Sequence, residues 1–200
     1  MDKELNVYEF LQSSLMTDNE QLLNALASRV SLRRVAKGTR LFQEGEQLED
    51  FYLLYSGILR AFYQAANGME ITEWLLSRPG MIIFPNYSLD KGFIADTSTE
   101  TLTDSELLHI PLAELLEIVR ACPELPQIRF RLLVAALDSQ NKLKRNLTHR
   151  LPAERYAWLV ENRPELVESV PQKYIASFLG MTPVSLSRIR SRYKEKPAEE

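Results

Sequence analysis

Apolar residues in the first half of the chain come in short runs, Phe51 to Tyr55, Ile58 to Tyr63, Glu70 to Leu76 and Leu107 to Ile110, each bounded by glycine or polar residues. Runs of this length rich in β-branched and aromatic side chains predict strands. Six of the seven glycines fall at positions 38, 45, 57, 68, 80 and 92, with spacings of 12, 11, 12 and 12 after the first pair. A turn residue about every 8 to 12 positions predicts antiparallel hairpins folded into a sandwich or barrel. Asn67-Gly68 predicts a two-residue hairpin turn with positive φ at both positions. The pattern gives a jelly-roll-like antiparallel β-barrel over about residues 30–111.

Helical spacing brackets that barrel. Thr17-Asp18-Asn19-Glu20 can cap a helix through Leu22, Leu23, Leu26 and Val30. Pro111 opens a short helix, Leu112 to Arg120, which Cys122-Pro123 ends. From Leu125 to Thr148 there is no glycine, and no proline after Pro126. This predicts one helix of about 24 residues, about 36 Å long. Leu133, Leu137, Lys144 and Leu147 fall near one stripe of it, with Phe130, Val134 and Ala136 on neighbouring faces. A helix apolar on more than one side needs two partners. One is its own barrel and the other a second copy, so residues 123–149 are expected to form a homodimer seam. The seam is not a strict heptad, because the apolar pattern weakens after Leu137. Leu151-Pro152 starts a further helix over Ala153 to Glu161, Pro164 and Pro171 punctuate the next segment, and helices resume at Gln172. The expected fold is α+β, divided into residues 1–122 (barrel with flanking helices), 123–149 (long helix) and 150–200 (C-terminal helices).

Composition narrows the function classes. With 45% hydrophobic and 26% charged residues the chain can bury a core. Its apolar runs fall short of the roughly 20 residues that span a bilayer. A polar, acidic start without an apolar signal core predicts a cytoplasmic protein with no membrane partner. One cysteine, Cys122, and two histidines, His109 and His149, exclude an internal disulfide, a four-cysteine zinc site, an all-cysteine iron–sulfur cluster and a multi-histidine site. No metal or cofactor is expected, and both histidines read as structural. A barrel enzyme of the cupin type lacks its ligands, and no nucleophile, base and orienter set is discernible, so the chain is not expected to be an enzyme.

Charge changes the picture further. The formal charge of −3 conceals 12 basic and 20 acidic residues over 1–141 against 12 basic and 7 acidic over 142–200. Between Pro171 and Lys194 stand Lys173, Arg188, Arg190, Arg192 and Lys194 with no acidic residue. An acidic body with a basic C-terminal unit suggests that the latter meets a polyanion.

The run from Gln172 to Ile189 fits a helix-turn-helix. Ala176 is small where two helices cross, Gly180 suits the left-handed turn, and Ile175, Leu179, Met181, Leu186 and Ile189 supply a shared core. Thr182 is a natural N-cap and Pro183 a natural first helical residue. In such a motif the second helix enters the major groove. Its outward set is Val184, Ser187, Arg188 and Ser191, near the helix start at Thr182, Pro183 and Ser185. Arg188 suits a guanine edge, Ser187 a base or phosphate, and Val184 a thymine methyl. Lys173, Arg192 and Lys194 suit phosphates of double-stranded DNA.

This order of parts resembles the Crp/Fnr family of bacterial transcription regulators over almost the whole chain. The resemblance is carried by Lys37-Gly38-Thr39, Glu44-Gly45-Glu46, Tyr52-Leu53-Leu54-Tyr55-Ser56-Gly57 and the stretch from Val170 to Arg190. It implies a cyclic-nucleotide-binding-like barrel, a dimerisation helix and a winged-helix-like DNA-binding domain, with double-stranded DNA, RNA polymerase and an unknown small-molecule effector as partners. The family's Ser-Arg recognition pair matches Ser187-Arg188, whereas its usual glutamate three residues before that serine is Val184 here. The few polar residues after Tyr193 imply a reduced wing. The family's nucleotide cassette would fall at Phe84, Pro85, Asn86 and Tyr87, with Phe84-Pro85 in place of Gly-Glu, and near Asp96 and Thr97. No Arg or Lys occurs between Lys91 and Arg120. Burying a phosphate there without a cation is unfavourable, so cyclic AMP is not expected to bind in the family's usual way. A sensor module that acts through a protein partner, with the C-terminal helices as its interface, is the alternative reading.

Overall fold

The computed structural model describes residues 6–83, 92–148 and 150–195. Two short helices open the chain, α1 (Val7–Leu15) and α2 (Glu20–Ala27). The helix α1 was not expected, although Val7, Phe10, Leu11 and Leu15 have helical spacing and Asn6 caps it by accepting the Glu9 N–H at 3.2 Å. Asn19 caps α2 by accepting the Leu22 N–H at 2.8 Å. This helix stops at Ala27, short of Val30.

Eight strands follow: β1 (Ser31–Val35), β2 (Arg40–Phe42), β3 (Asp50–Ser56), β4 (Leu59–Gln64), β5 (Glu70–Leu76), β6 (Ile82–Ile83), β7 (Ser98–Thr101) and β8 (Ser105–Pro111). They pair as two antiparallel sheets, β1-β8-β3-β6 and β2-β7-β4-β5. The interleaved order is that of a jelly roll. Among the described residues these are two separate sheets and no closed barrel is formed. Tyr52, Leu54 and Leu107 of the first sheet share a core with Phe42, Leu59 and Leu76 of the second. The β4–β5 hairpin is where the glycine pattern put it, but its turn differs from the expected one. Ala65 N–H donates to Met69 O at 2.9 Å and Gly68 N–H to Ala65 O at 2.8 Å. Of Asn67 and Gly68 only the glycine has positive φ, at 80°. The loop is therefore the three-residue kind that ends in a left-handed glycine. Asn67 serves through its side chain, which accepts the Met69 N–H.

Helices complete the chain: α3 (Leu112–Ala121), α4 (Leu125–Thr148), α5 (Pro152–Asn162), α6 (Pro164–Ser169), α7 (Gln172–Phe178) and α8 (Pro183–Glu195). The segment punctuated by Pro164 is itself a helix, because proline at the first helical position lacks only an N–H that would be unpaired anyway. Buried Leu166 anchors it. Ile128 of α4 is buried against α1, α2, β3 and β8. Farther along α4, Leu143 and Leu147 pack on the C-terminal helices. Between these anchors Phe130, Leu133, Val134 and Leu137 are 67%, 57%, 49% and 57% exposed. Their spacing puts all four on one helical stripe. His109 is buried, with Nε2 2.5 Å from Asp50 and Nδ1 3.4 Å from the Ser31 hydroxyl. His149 lies outside the described residues.

Candidate nucleic-acid interface and sensor cavity

Local chemistry sets the turn between α7 and α8. Gly180 has φ of 65° and its N–H donates to Ser177 O at 3.0 Å, while Met181 N–H donates to Ala176 O at 2.9 Å. Arg155 holds the turn from α5, donating from Nη1 to Leu179 O at 2.5 Å. Thr182 accepts the Ser185 N–H at 3.1 Å and its hydroxyl lies 2.9 Å from that of Ser185. Pro183 then opens α8. Ile175, Ala176, Leu179 and Leu186 are buried in one core, with Met181 and Ile189 partly buried against it.

These inward contacts leave Val184, Ser187, Arg188 and Ser191 exposed, and with them Thr182, Pro183, Ser185, Arg192 and Lys173. Thr182 and Ser185 are engaged in the cap, and the Ser191 hydroxyl donates to Ser187 O at 3.2 Å. Among the described residues Arg188, Arg192 and Lys173 take part in no ion pair, and the Lys173 ammonium lies 4.6 Å from the Tyr174 ring centre. The first turn of α8 carries no acidic residue. Positive charge and the electropositive helix start thus occur together on one exposed face.

The opposite side of this unit is docked on the second sheet. Strand β5 is an edge of that sheet, and its Thr72 N–H donates to the Ser177 hydroxyl of α7 at 2.8 Å. Arg60, 2% exposed, lies between the rings of Phe62 and Tyr174, 3.8 and 3.7 Å from their centres. It is paired with Glu70 at 2.5 Å and Glu100 at 2.6 Å. Ile58, Leu75 and Leu102 join the C-terminal core. At the next contact, Arg163 donates to Ser77 Oγ at 2.6 Å and to Leu75 O at 3.3 Å. Glu165 accepts from Ser77 at 2.7 Å and from Arg163 at 2.9 Å. Burial alone pushes the Glu165 carboxyl up, but these hydrogen bonds and the Arg163 charge outweigh it and hold it below the ordinary range.

A cavity of about 500 Å³ lies between the inner face of the second sheet and α4. Its floor is a row across three strands, since Ala61 pairs with Trp74 on one side and with Thr99 on the other. The small Ala61 leaves the space, and Ala135, Ala136 and Ser139 present short side chains from α4. Of the expected effector residues, Thr97 lines the cavity and is buried, whereas Asp96 is half-buried and does not line it. Asp96 acts instead on Glu73, whose carboxyl is raised by burial first and by that neighbouring charge second. Phe84, Pro85, Asn86 and Tyr87 lie outside the described residues. Sequence reasoning missed Trp74, Ala61 and the α4 residues. The usable signal was strand register, which sets a small residue between two larger ones across the sheet.

A family model, the cyclic nucleotide-binding domain, matches residues 32–122. The chain is 27% identical to a transcriptional regulatory protein of Bordetella pertussis over 174 residues, covering 80% of this chain and 69% of that protein. It is 25% identical to the anaerobic regulatory protein of Haemophilus influenzae over 198 residues, covering 90% and 73%. In three dimensions it shares the fold of the catabolite activator protein of Thermus thermophilus, with a TM-score of 0.52, 24% identity and coverage of 91% and 87%. Residues 32–122 thus match a cyclic nucleotide-binding domain, and the chain, which continues from two antiparallel sheets into a long helix and an exposed basic helix, is similar over most of its length to transcriptional regulators.

Proposed function

We propose that this regulator binds double-stranded DNA as a homodimer, with α7, the turn and α8 as its helix-turn-helix and α8 as the reading element. The observation that carries this is the exposed face of α8, where Arg188, in no ion pair among the described residues, stands beside Val184, Ser187 and Ser191 while Leu186 is buried behind them. Arg188 bonds both acceptors of a guanine edge. Ser187 meets a base or phosphate and Val184 a thymine methyl. Lys173, Arg192 and the capped start at Thr182, Pro183 and Ser185 meet phosphates and hold the register. Residues 1–122 are the sensor, 123–149 the dimer seam and 150–200 the DNA-binding unit. The exposed stripe on α4 supports the seam, since four large apolar side chains on one helical face are unfavourable in water.

In this mechanism the two α4 helices fix the distance between the two α8 helices, and an effector that favours one arrangement selects the DNA-competent state. The test is selection from random duplexes at about 150 mM salt, where non-specific binding is weak, with Arg188→Ala in parallel. The expected result is an enriched palindrome with half-sites about 10 base pairs apart, lost in the variant. Enrichment that survives Arg188→Ala contradicts the assignment of α8. Binding to a protein partner without any DNA enrichment favours the alternative of a sensor module.

A further inference from the structure

The cavity under α4 is set apart by the chemistry of its described lining. Among its described residues none carries a charge, and most are apolar: Ala61, Leu76, Met81, Ile83, Leu132 and Ala136. Ser14, Thr99, Ser139 and Gln140 add neutral polar groups, and two further ones stand out. Trp74 and Thr97 both line the cavity, and the Trp74 indole N–H and the Thr97 hydroxyl are buried with no hydrogen-bond partner. Buried polar groups are almost always satisfied, so an unmatched pair at one cavity is an unusual arrangement. Met16, Ile82 and Leu133, each well exposed, form the rim and leave a route in. The volume of about 500 Å³ lies within the range of small-molecule sites.

We propose that this cavity binds an uncharged, largely apolar small molecule whose one or two hydrogen-bond acceptors take the Trp74 N–H and the Thr97 O–H. Carbonyl compounds such as aromatic ketones, esters or lactones have this chemistry. An ionised phosphate would lose its hydration to a wall that offers no counter-charge among its described residues. A donor-only ligand would leave the Trp74 N–H unmatched. The inference rests on reading the two-sheet domain as the sensor, and it names the class of molecule sensed. Because Trp74 belongs to β5, whose Thr72 N–H holds α7, a ligand on this wall acts on the strand that carries the DNA-binding unit.

The probe is Prodan, a neutral naphthalene ketone that accepts energy from tryptophan. The chain has two tryptophans, Trp74 and Trp158. In the Trp158→Phe protein any energy transfer to bound Prodan therefore comes from the cavity wall. Titration is expected to quench Trp74 saturably at one probe per chain. Filling the floor with Ala61→Leu, or the ceiling with Ala136→Leu, is expected to weaken binding at least tenfold. Thr97→Val is expected to weaken it about three- to tenfold, the size of one hydrogen bond. Using two filling variants keeps the test valid if one of them fails to fold by circular dichroism. Absence of saturable quenching overturns the proposal, as does binding indifferent to Thr97→Val and to every folded filling variant, which would put Prodan on the outer stripe of α4. Displacement of Prodan by equimolar cyclic AMP overturns the uncharged class. No DNA is present, so these outcomes are independent of whether α8 reads a sequence.

Discussion

Arg188 owes its readiness to what surrounds it. Its neighbours Leu186 and Ile189 turn inward, and no carboxylate among the described residues pairs with it, so the guanidinium is presented without competition. Arg188→Ala is expected to cost about 1–3 kcal/mol of discrimination at a single base position while leaving folding intact, measured with duplexes varied at that base. Gly180 is a different case. Its φ of 65° is strained for any L side chain, and a Cβ there would lie 3.2 Å from Arg155 Nη1. Gly180→Ala is expected to destabilise the protein by about 1 kcal/mol, read from the denaturant midpoint. Glu165 gives a pH signature. Its carboxyl is held below the ordinary range, so its stabilising effect is complete above that range and is lost in acid, as pH falls through the lowered pKa. Glu165→Gln is expected to flatten the stability profile in that window. Gly180 and Thr182 were legible from sequence because turn and cap chemistry is local. Arg60 was not, because Glu100, Phe62 and Tyr174 reach it only through strand register and α7 docking.

At the scale of elements, α4 was the most legible part. An uninterrupted run without glycine predicted Leu125 to Thr148, and the helix has those bounds. What the pattern did not resolve was which side meets which partner. Ile128 faces the first sheet's core, Leu143 and Leu147 face the C-terminal helices, and Phe130, Leu133, Val134 and Leu137 face outward. Leu137→Glu is therefore expected to turn a dimer into a monomer in sedimentation, with the melting temperature of the monomeric unit little changed. A dimer that persists would move the seam elsewhere. Helices α1 and α6 escaped notice because they are short, and short amphipathic runs are held by tertiary packing rather than by propensity. The separate sheets and the cavity between sheet and helix were likewise invisible, since both depend on pairings between distant strands.

Across the whole molecule, strand β5 is the shared part. Its Trp74 and Leu76 line the cavity under α4, and its edge N–H at Thr72 holds α7. The Arg60 pair with Glu70 and Glu100, under the Tyr174 ring, ties the same sheet to the same helix. Arg60→Met would leave Glu100 with only the half-exposed Arg40, 3.4 Å away, as counter-charge, and is expected to destabilise the chain by about 1–3 kcal/mol in denaturant unfolding. The central claim, that two copies present two α8 helices to successive turns of one DNA face, is tested most directly by a hydroxyl-radical footprint on a selected duplex. Two symmetric protected patches about 10 base pairs apart, both lost together in Leu137→Glu, are the predicted result. A single protected patch, or one unchanged in the monomeric variant, would contradict it.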